Sequence, residues 1–226
     1  MGAGVIDDYV AGLGRALRGP RGPRLDLVTE ARDSLLDAAE ALEGGGLERA
    51  EAERRAVEEF GALDEIVPGY QEELTACAGR RLAVLLFLAV PFTAVMWTLM
   101  WRLFPAAPVS APDWPGWFAP VARAVDLLQI AIGALGALAL FALGRGRRRI
   151  RRPHLVARAL ALTVWGLFPV MVVLCGALMY GSSDSAGLSG HPPGLVASAV
   201  SYTLWGLQLY CAGRCLALTR RRSVPA

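Results

Sequence analysis

Four long apolar stretches in the last two thirds of the chain constrain its fold more than any other feature. Each is long enough, at about 1.5 Å of rise per residue, for a helix to cross a hydrocarbon core about 30 Å thick. Inside that core the backbone N–H and C=O groups must be satisfied by the chain itself, so such a stretch becomes a helix. The sequence therefore predicts an all-α protein with a four-helix transmembrane bundle whose spans lie at residues 82–104, 121–143, 155–180 and 195–218.

Charged side chains divide unequally along the chain, although the net charge is only +3. Residues 1–79 contain 8 arginines and 17 carboxylates, a net charge of −9, whereas residues 80–226 contain 15 arginines and 3 carboxylates, a net charge of +12. Hydrophobic residues make up 54% of the chain, above the share of about 45–50% in soluble domains. We therefore expect an acidic cytoplasmic domain at 1–79, a membrane domain at 80–219 and a short cytoplasmic tail at 220–226.

Arginines lie at alternate ends of the predicted spans, which indicates how the chain crosses the membrane. The connections 105–120 and 181–194 contain no arginine. Short connections rich in arginine remain in the cytoplasm, so the pattern predicts that both termini are cytoplasmic. Because all 23 basic residues are arginine and glycine is abundant, the composition is typical of a bacterial chain, and we expect the bacterial inner (plasma) membrane. The connection between spans two and three, which we expect at the inner face, contains Arg145, Arg147, Arg148, Arg149, Arg151 and Arg152.

The acidic domain reads as four short amphipathic helices. Apolar residues recur at spacings of three and four, which predicts helices over about 4–18, 23–43, 48–60 and 64–79. Gly44-Gly45-Gly46 is expected to end the second helix, because glycine adopts the left-handed conformation found at helix C-termini. Gly61 is expected to end the third helix in the same way.

One face of the second predicted helix carries carboxylates at spacings of three and four, opposite its apolar face. This acidic face is either a solvated surface or a docking surface for a basic partner, and it has the wrong sign for nucleic acid or anionic lipid. A further hypothesis pairs it with the six arginines of the 145–152 connection, although those arginines also serve simply to set the topology. The residues of the acidic face are Asp26, Glu30, Asp33, Asp37 and Glu40.

Two groups inside the predicted spans deserve separate interpretation. Asp126 lies in span two, where an ionisable residue indicates a functional site, but Arg123 is one helical turn away, and we expect a local ion pair instead. Cys211 and Cys215 are one turn apart on span four, and Cys175 lies on span three. In apolar surroundings cysteine packs as a small hydrophobic residue, so we expect packing rather than a redox or metal cluster.

The N-terminal residues also resemble a known family. Three motifs carry the resemblance: Tyr9-Val10-Ala-Gly-Leu13, then Leu27-Val28-Thr-Glu30-Ala-Arg-Asp33-Ser-Leu35-Leu36-Asp37, and then Gly46-Leu47-x-x-Ala50-Glu51-Ala52-Glu53-x-x-Ala56-Val57-x-x-Phe60-Gly61. Over residues 5–75 the chain resembles the permease prefix domain, also called the HAAS (helix-turn-helix-associated α-helical signalling) domain. The resemblance implies a small helical cytoplasmic module that precedes membrane spans and is often encoded beside a PadR-type winged-helix transcription regulator.

These observations rank the classes of function. The sequence contains no paired catalytic carboxylates, nucleophile elbow, phosphate-binding loop or metal motif, so we expect neither an enzyme nor a cofactor. We expect a membrane-anchored signalling protein whose acidic module binds a cytoplasmic partner, a PadR-type regulator on the resemblance, with no direct contact to nucleic acid. The alternative is a small permease subunit or transporter accessory protein. The lipid bilayer and a second copy of the chain are the other partners considered.

Overall fold

The computed structural model describes residues 4–104, 115–144, 153–181 and 192–220. These residues form helices joined by short connections and contain no strand, which confirms that the fold is all-α. The chain divides into two compact units, Met1–Ala78 and Gly79–Ala226. The helices of the described residues are α1 (Val5–Ala16), α2 (Arg21–Gly44), α3 (Arg49–Phe60), α4 (Leu63–Leu103), α5 (Phe118–Leu143), α6 (Pro153–Gly181) and α7 (Pro192–Arg220).

The first unit is built around α2, which contributes apolar side chains to two adjoining clusters. Leu35 and Ala39 pack with Ile6 of α1 and Ala56 of α3. Ala31, one turn earlier on α2, packs in the second cluster. The residues of the second cluster are Leu13, Leu17, Ala31 and Leu74. The apolar face of α2 therefore packs in both clusters, and its opposite face is exposed to solvent.

The C-terminus of α2 ends as the glycine run predicts. Gly46 has a φ of 95°, a left-handed backbone conformation that residues other than glycine rarely adopt. The amide of Gly46 donates to the carbonyl of Glu43 at 2.9 Å, and the amide of Leu47 donates to the carbonyl of Leu42 at 3.3 Å. This pair of hydrogen bonds is the Schellman arrangement, which satisfies carbonyls at the helix end.

The predicted helix 64–79 continues into the predicted span 82–104 as a single helix, α4, with Gly79 inside it. A Cβ on Gly79 would lie 2.9 Å from the Cβ of Ala157 and 3.1 Å from Cδ1 of Leu143. Gly79 therefore serves helix packing instead of ending a helix, because only a residue without a side chain permits this approach. Composition alone could not separate these two uses of glycine.

Among the described residues, four helices are long and apolar enough to cross a membrane, as in a multi-pass membrane protein, and each coincides with one predicted span, although α4 ends at Leu103 and the first predicted span extends to residue 104. Their outward surfaces are also apolar: Leu127, Leu138, Phe141 and Val173 each remain between 65% and 69% exposed. Soluble proteins seldom leave so many large apolar side chains uncovered, whereas a lipid-facing surface requires them. The four helices are the apolar part of α4, α5, α6 and α7.

Three contacts establish that the membrane helices alternate in direction. Gly79, within α4 and just before its apolar part, meets the start of α6 and the end of α5, as described above. Near the other end, the Nε1 group of Trp97 on α4 donates to the Ser201 hydroxyl on α7 at 3.3 Å. There a Cβ on Gly181, at the end of α6, would also meet the Trp117 ring at the start of α5. We call these the Gly79 end and the Trp97 end of the bundle.

Helices α4 and α5 approach each other closely at two glycines of α5, Gly133 and Gly136. A Cβ on Gly136 would lie 2.9 Å from both the carbonyl oxygen of Ala83 and the amide nitrogen of Phe87. A Cβ on Gly133 would lie 3.1 Å from a methyl group of Val90. Because the atoms facing Gly136 belong to the backbone, they cannot move aside as a flexible side chain can.

We predict that Gly136→Ala destabilises the membrane unit by about 1–3 kcal/mol, the usual cost of overpacking a well-packed site. The matched control is Gly206→Ala on α7, where an added Cβ meets no atom within 4 Å. Thermal unfolding of the full chain in detergent micelles measures both. Equal unfolding temperatures for the two variants would contradict the packing role of Gly136.

Candidate functional site

Helix α2 presents its carboxylates and its apolar side chains on opposite faces. Ala31, Leu35 and Ala39 are buried, with at most 3% of their surface exposed. All five carboxylates of the predicted acidic face are exposed. The structure therefore brings together on one open surface the residues that the sequence selected: Asp26, Glu30, Asp33, Asp37 and Glu40.

The acidic face of α2 lacks the arginine partners that four carboxylates of α1 and α3 have. Asp7 of α1 pairs with Arg32 at 2.8 Å, and three further ion pairs join residues three or four apart on α3. Within the described part of the chain, none of the five carboxylates takes part in an ion pair with arginine. The five like charges consequently face solvent uncompensated. The pairs on α3 are Arg49–Glu53, Arg54–Glu51 and Arg55–Glu59.

In the last motif of the family resemblance, several residues of α3 pack inside the first unit. Ala52 and Ala56 are buried on α3. Phe60, the last residue of α3, contacts the Tyr9 ring edge to face, with ring centroids 5.9 Å apart. The Tyr9 hydroxyl donates to the carbonyl of Gly61 at 2.9 Å, and Gly61 has a φ of 110° that favours glycine. The Phe60-Gly61 pair thus fixes α1 against the end of α3.

A second pair of hydrogen bonds joins the end of α1 to α4 within the first unit. The Arg18 amide donates to Oε1 of Gln71 at 3.0 Å, and Nε2 of Gln71 donates to the carbonyl of Arg18 at 2.6 Å. One glutamine amide therefore satisfies both polar groups of a single backbone residue beyond the helix end. The sequence reading did not identify Gln71, because an isolated glutamine gives no periodic signal.

The predicted ion pair between Arg123 and Asp126 is absent. Both side chains are exposed, and the ion pairs of the described residues do not include either of them. Both residues lie in the first three turns of α5, close to one end of the helix, where each polar side chain can reach water separately. Asp126 also lies outside the cavity described below, which removes the geometric basis for a carboxylate site inside the bundle.

The cysteines of the bundle occupy different environments. Cys215 is 1% exposed on α7, Cys211 is half-buried one turn earlier, and Cys175 on α6 lines a cavity. All are free thiols. No group of three or more His, Cys, Asp or Glu side chains that could hold a metal ion occurs in the ranges that the structure describes. The six predicted inner-face arginines at 145–152 lie outside those ranges.

The bundle also contains a cavity of about 700 Å³, which the sequence reading did not anticipate. It lies between all four membrane helices, from Leu86 on α4 toward the Trp97 end. Most lining residues are apolar or aromatic, and its amide side chains are Gln129 of α5 and Gln208 of α7. A glutamine in each of two predicted spans was the available signal, but no periodic pattern distinguishes a glutamine facing a cavity from one facing lipid.

Comparisons with protein-family models, with curated proteins and with solved structures find no match to this chain. Functional inference therefore depends on the geometry of the two units and on the motif residues themselves. Of the features above, two offer a surface to another molecule: the exposed acidic face of α2 and the cavity between the membrane helices.

We predict that Tyr9→Phe destabilises the first unit by about 1 kcal/mol, because the hydrogen bond to Gly61 is lost while the ring contact remains. Burial raises the pKa of Tyr9, with a smaller contribution from Tyr70. A phenol whose pKa is higher in the folded state stabilises the fold below its unfolded pKa of about 10, and this contribution is lost as the pH rises through the folded value. Wild-type stability should therefore fall more steeply than that of Tyr9→Phe above about pH 10.

Amide hydrogen exchange of α1 in the full chain measures both effects. Tyr180→Phe at the end of α6 is the control and should leave the exchange of α1 unchanged. Identical protection of α1 in wild type and Tyr9→Phe would show that the hydroxyl does not stabilise this unit.

Proposed function

We propose that this chain is a membrane-anchored regulatory protein whose acidic helical unit binds a cytoplasmic partner with a basic surface. The four apolar helices hold that unit at the membrane. The partner class implied by the resemblance of residues 5–75 to the permease prefix, or HAAS, family is a PadR-type transcription regulator. The proposal includes no enzymatic activity.

The observation that carries this proposal is the uncompensated acidic face of α2. Five exposed carboxylates follow one face of α2, and none of them forms an ion pair with arginine within the described residues, whereas Asp7 of α1 and three glutamates of α3 do. Such a face attracts a basic protein surface and excludes acidic partners. It repels the phosphates of nucleic acid and the headgroups of anionic lipids. A protein partner with clustered Lys or Arg is therefore the class that the charge favours.

The proposed orientation places both termini and the 145–152 connection in the cytoplasm, on the arginine distribution. The acidic unit then lies on the same side of the membrane as a transcription regulator. The connections near residues 105–117 and 182–191 are external in this arrangement.

We predict that phosphatase fusions, which are active only outside the cytoplasm, show this alternation. Fusions after residues 110 and 187 should be active, and fusions after residues 148 and 226 should be inactive. Green fluorescent protein fused at the same four positions is the reciprocal control, since it fluoresces only in the cytoplasm. Phosphatase activity at residue 148 would contradict the orientation.

We predict that removing three charges from the acidic face weakens binding of a purified PadR-type regulator from the same genome by about tenfold or more. The variant is Asp33→Asn, Asp37→Asn and Glu40→Gln, and the reason is loss of electrostatic complementarity. Affinity for the full chain in lipid nanodiscs is measured at several salt concentrations. Wild-type affinity should fall as salt rises, since exposed charges are screened.

A matched control removes the same number of charges from exposed carboxylates on other helices: Asp8→Asn, Glu58→Gln and Asp64→Asn. This control should bind like wild type. An equal loss of affinity in both triple variants would show that the effect comes from net charge alone. Unchanged affinity in both variants would exclude the acidic face as the binding surface.

A further inference from the structure

The cavity of the membrane unit lies where the bundle changes from close packing to a looser arrangement. Toward the Gly79 end, Leu82, Ala83, Ala157 and Ala212 are completely buried. From Leu86 toward the Trp97 end, the four helices enclose about 700 Å³. This volume falls within the range of about 300–1,000 Å³ that small-molecule sites occupy.

No side chain that lines the cavity carries a charge. Asp126 and Arg123 are exposed on the outside of α5 and do not line it. An ionised ligand group would therefore be buried without a counter-charge, which is strongly unfavourable in an apolar environment. The cavity accordingly selects an uncharged molecule.

Two glutamines place amide groups in the cavity at mid-membrane depth. Gln129 lies about 16 Å along α5 from Phe118, and Gln208 lies about 18 Å along α7 from Arg220, at about 1.5 Å per residue. A hydrocarbon core is about 30 Å thick, so both amides are far from either surface. The headgroup of a phospholipid remains at the surface, whereas an uncharged head can reach this depth.

These amides differ in their hydrogen bonding from two hydroxyl groups that also line the cavity. The hydroxyl groups of Thr93 and Ser201 donate to carbonyls of their own helices, at 2.8 Å and 2.9 Å. For Gln129 and Gln208, no hydrogen bond of the side-chain amide occurs within the described residues. An amide without a partner in hydrocarbon is unfavourable, so these groups require an oxygen-bearing partner from outside the chain.

Aromatic side chains form part of the cavity wall beside α7. The Trp205 ring contacts Phe168 edge to face, with centroids 6.3 Å apart, and contacts Tyr202 in the same manner at 6.0 Å. All three residues line the cavity. Such a wall offers apolar and weakly polar contact to a ring or an acyl chain.

We propose that this cavity binds one neutral lipid, whose uncharged oxygen-bearing head accepts hydrogen bonds from the amides of Gln129 and Gln208 and whose tail fills the apolar remainder. The same chemistry occurs in two membrane sources, isoprenoid quinones with ring carbonyls and diacylglycerols with ester carbonyls and a hydroxyl. Binding at this cavity is independent of the partner proposed for the acidic face.

The test uses the full chain in detergent and measures retained ligand by native mass spectrometry. Three probes are offered separately: a decyl-substituted benzoquinone, dioctanoylglycerol and dioctanoyl phosphatidylglycerol. We expect at least one neutral probe to be retained at one molecule per chain and at least tenfold more than the phosphatidylglycerol. Retention of the benzoquinone or of the diacylglycerol then identifies the source.

The double variant Gln129→Leu, Gln208→Leu should retain the preferred probe at least tenfold less than wild type. Thr203→Val is the matched control, because Thr203 is exposed outside the cavity and its hydroxyl donates to Ala199 of its own helix. The same double variant should unfold at or above the wild-type temperature in the absence of probe, since each unpartnered amide is replaced by an apolar side chain. Loss of binding in a chain that stable cannot be attributed to misfolding.

Three results would overturn the proposal. The first is equal retention of the charged and the neutral probes. The second is unchanged retention in the double variant. The third is a dimer that forms through the two glutamines and excludes every probe, which would make a second copy of the chain the occupant.

Discussion

The need to satisfy backbone hydrogen bonds without water governs most of this structure. In a hydrocarbon core an unpaired amide or carbonyl is costly, and a helix is the arrangement in which a single stretch satisfies its own groups. The apolar parts of α4, α5, α6 and α7 follow directly from that constraint. With the backbone satisfied internally, differences between the helices arise from side chains alone: glycine where two backbones approach, and glutamine where an amide faces the cavity.

The first unit is governed by a different constraint, because it must assemble a small core from short helices. Helix α2 supplies apolar residues to both clusters and leaves its other face entirely to solvent. The Tyr9 hydroxyl of α1 donates to the Gly61 carbonyl, and the Gln71 amide bonds to both backbone groups of Arg18, just beyond α1. The core therefore needs none of the five carboxylates on α2, and their positions are available for recognition.

Much of the fold could be predicted from the sequence because its signals are periodic or long. The four apolar stretches and the short amphipathic helices depend on patterns over ten or more residues, which local variation does not obscure. The acidic face is such a pattern as well, and its residues share one surface as expected. The resemblance of residues 5–75 to a signalling module remains a prediction, since Ala52, Ala56 and Phe60 of its motifs pack inside the unit whereas Glu30, Asp33 and Asp37 face solvent.

The features that sequence reasoning missed depend on single residues and on neighbours distant in the chain. The sequence does not show that Gly79 is a packing site, because the residues that it packs against, Ala157 and Leu143, are distant in the chain. Arg123 and Asp126 have suitable spacing for an ion pair, but each is exposed, and water competes for both charges. The cavity could not be predicted, because it depends on how four helices diverge, and no single stretch of the sequence contains that information.

The contact between Gly136 and the backbone of α4 has a mechanical consequence for the bundle. Atoms of the main chain meet there with no side chain between them, so the two helices cannot approach further at that point. A small rotation of α4 about this contact displaces its Trp97 end more than its Gly79 end, as the longer arm of a lever moves further than the shorter one. The glycine contact would thereby serve as a pivot: a tilt of α4 about it would change the volume of the cavity more than the packing at the Gly79 end.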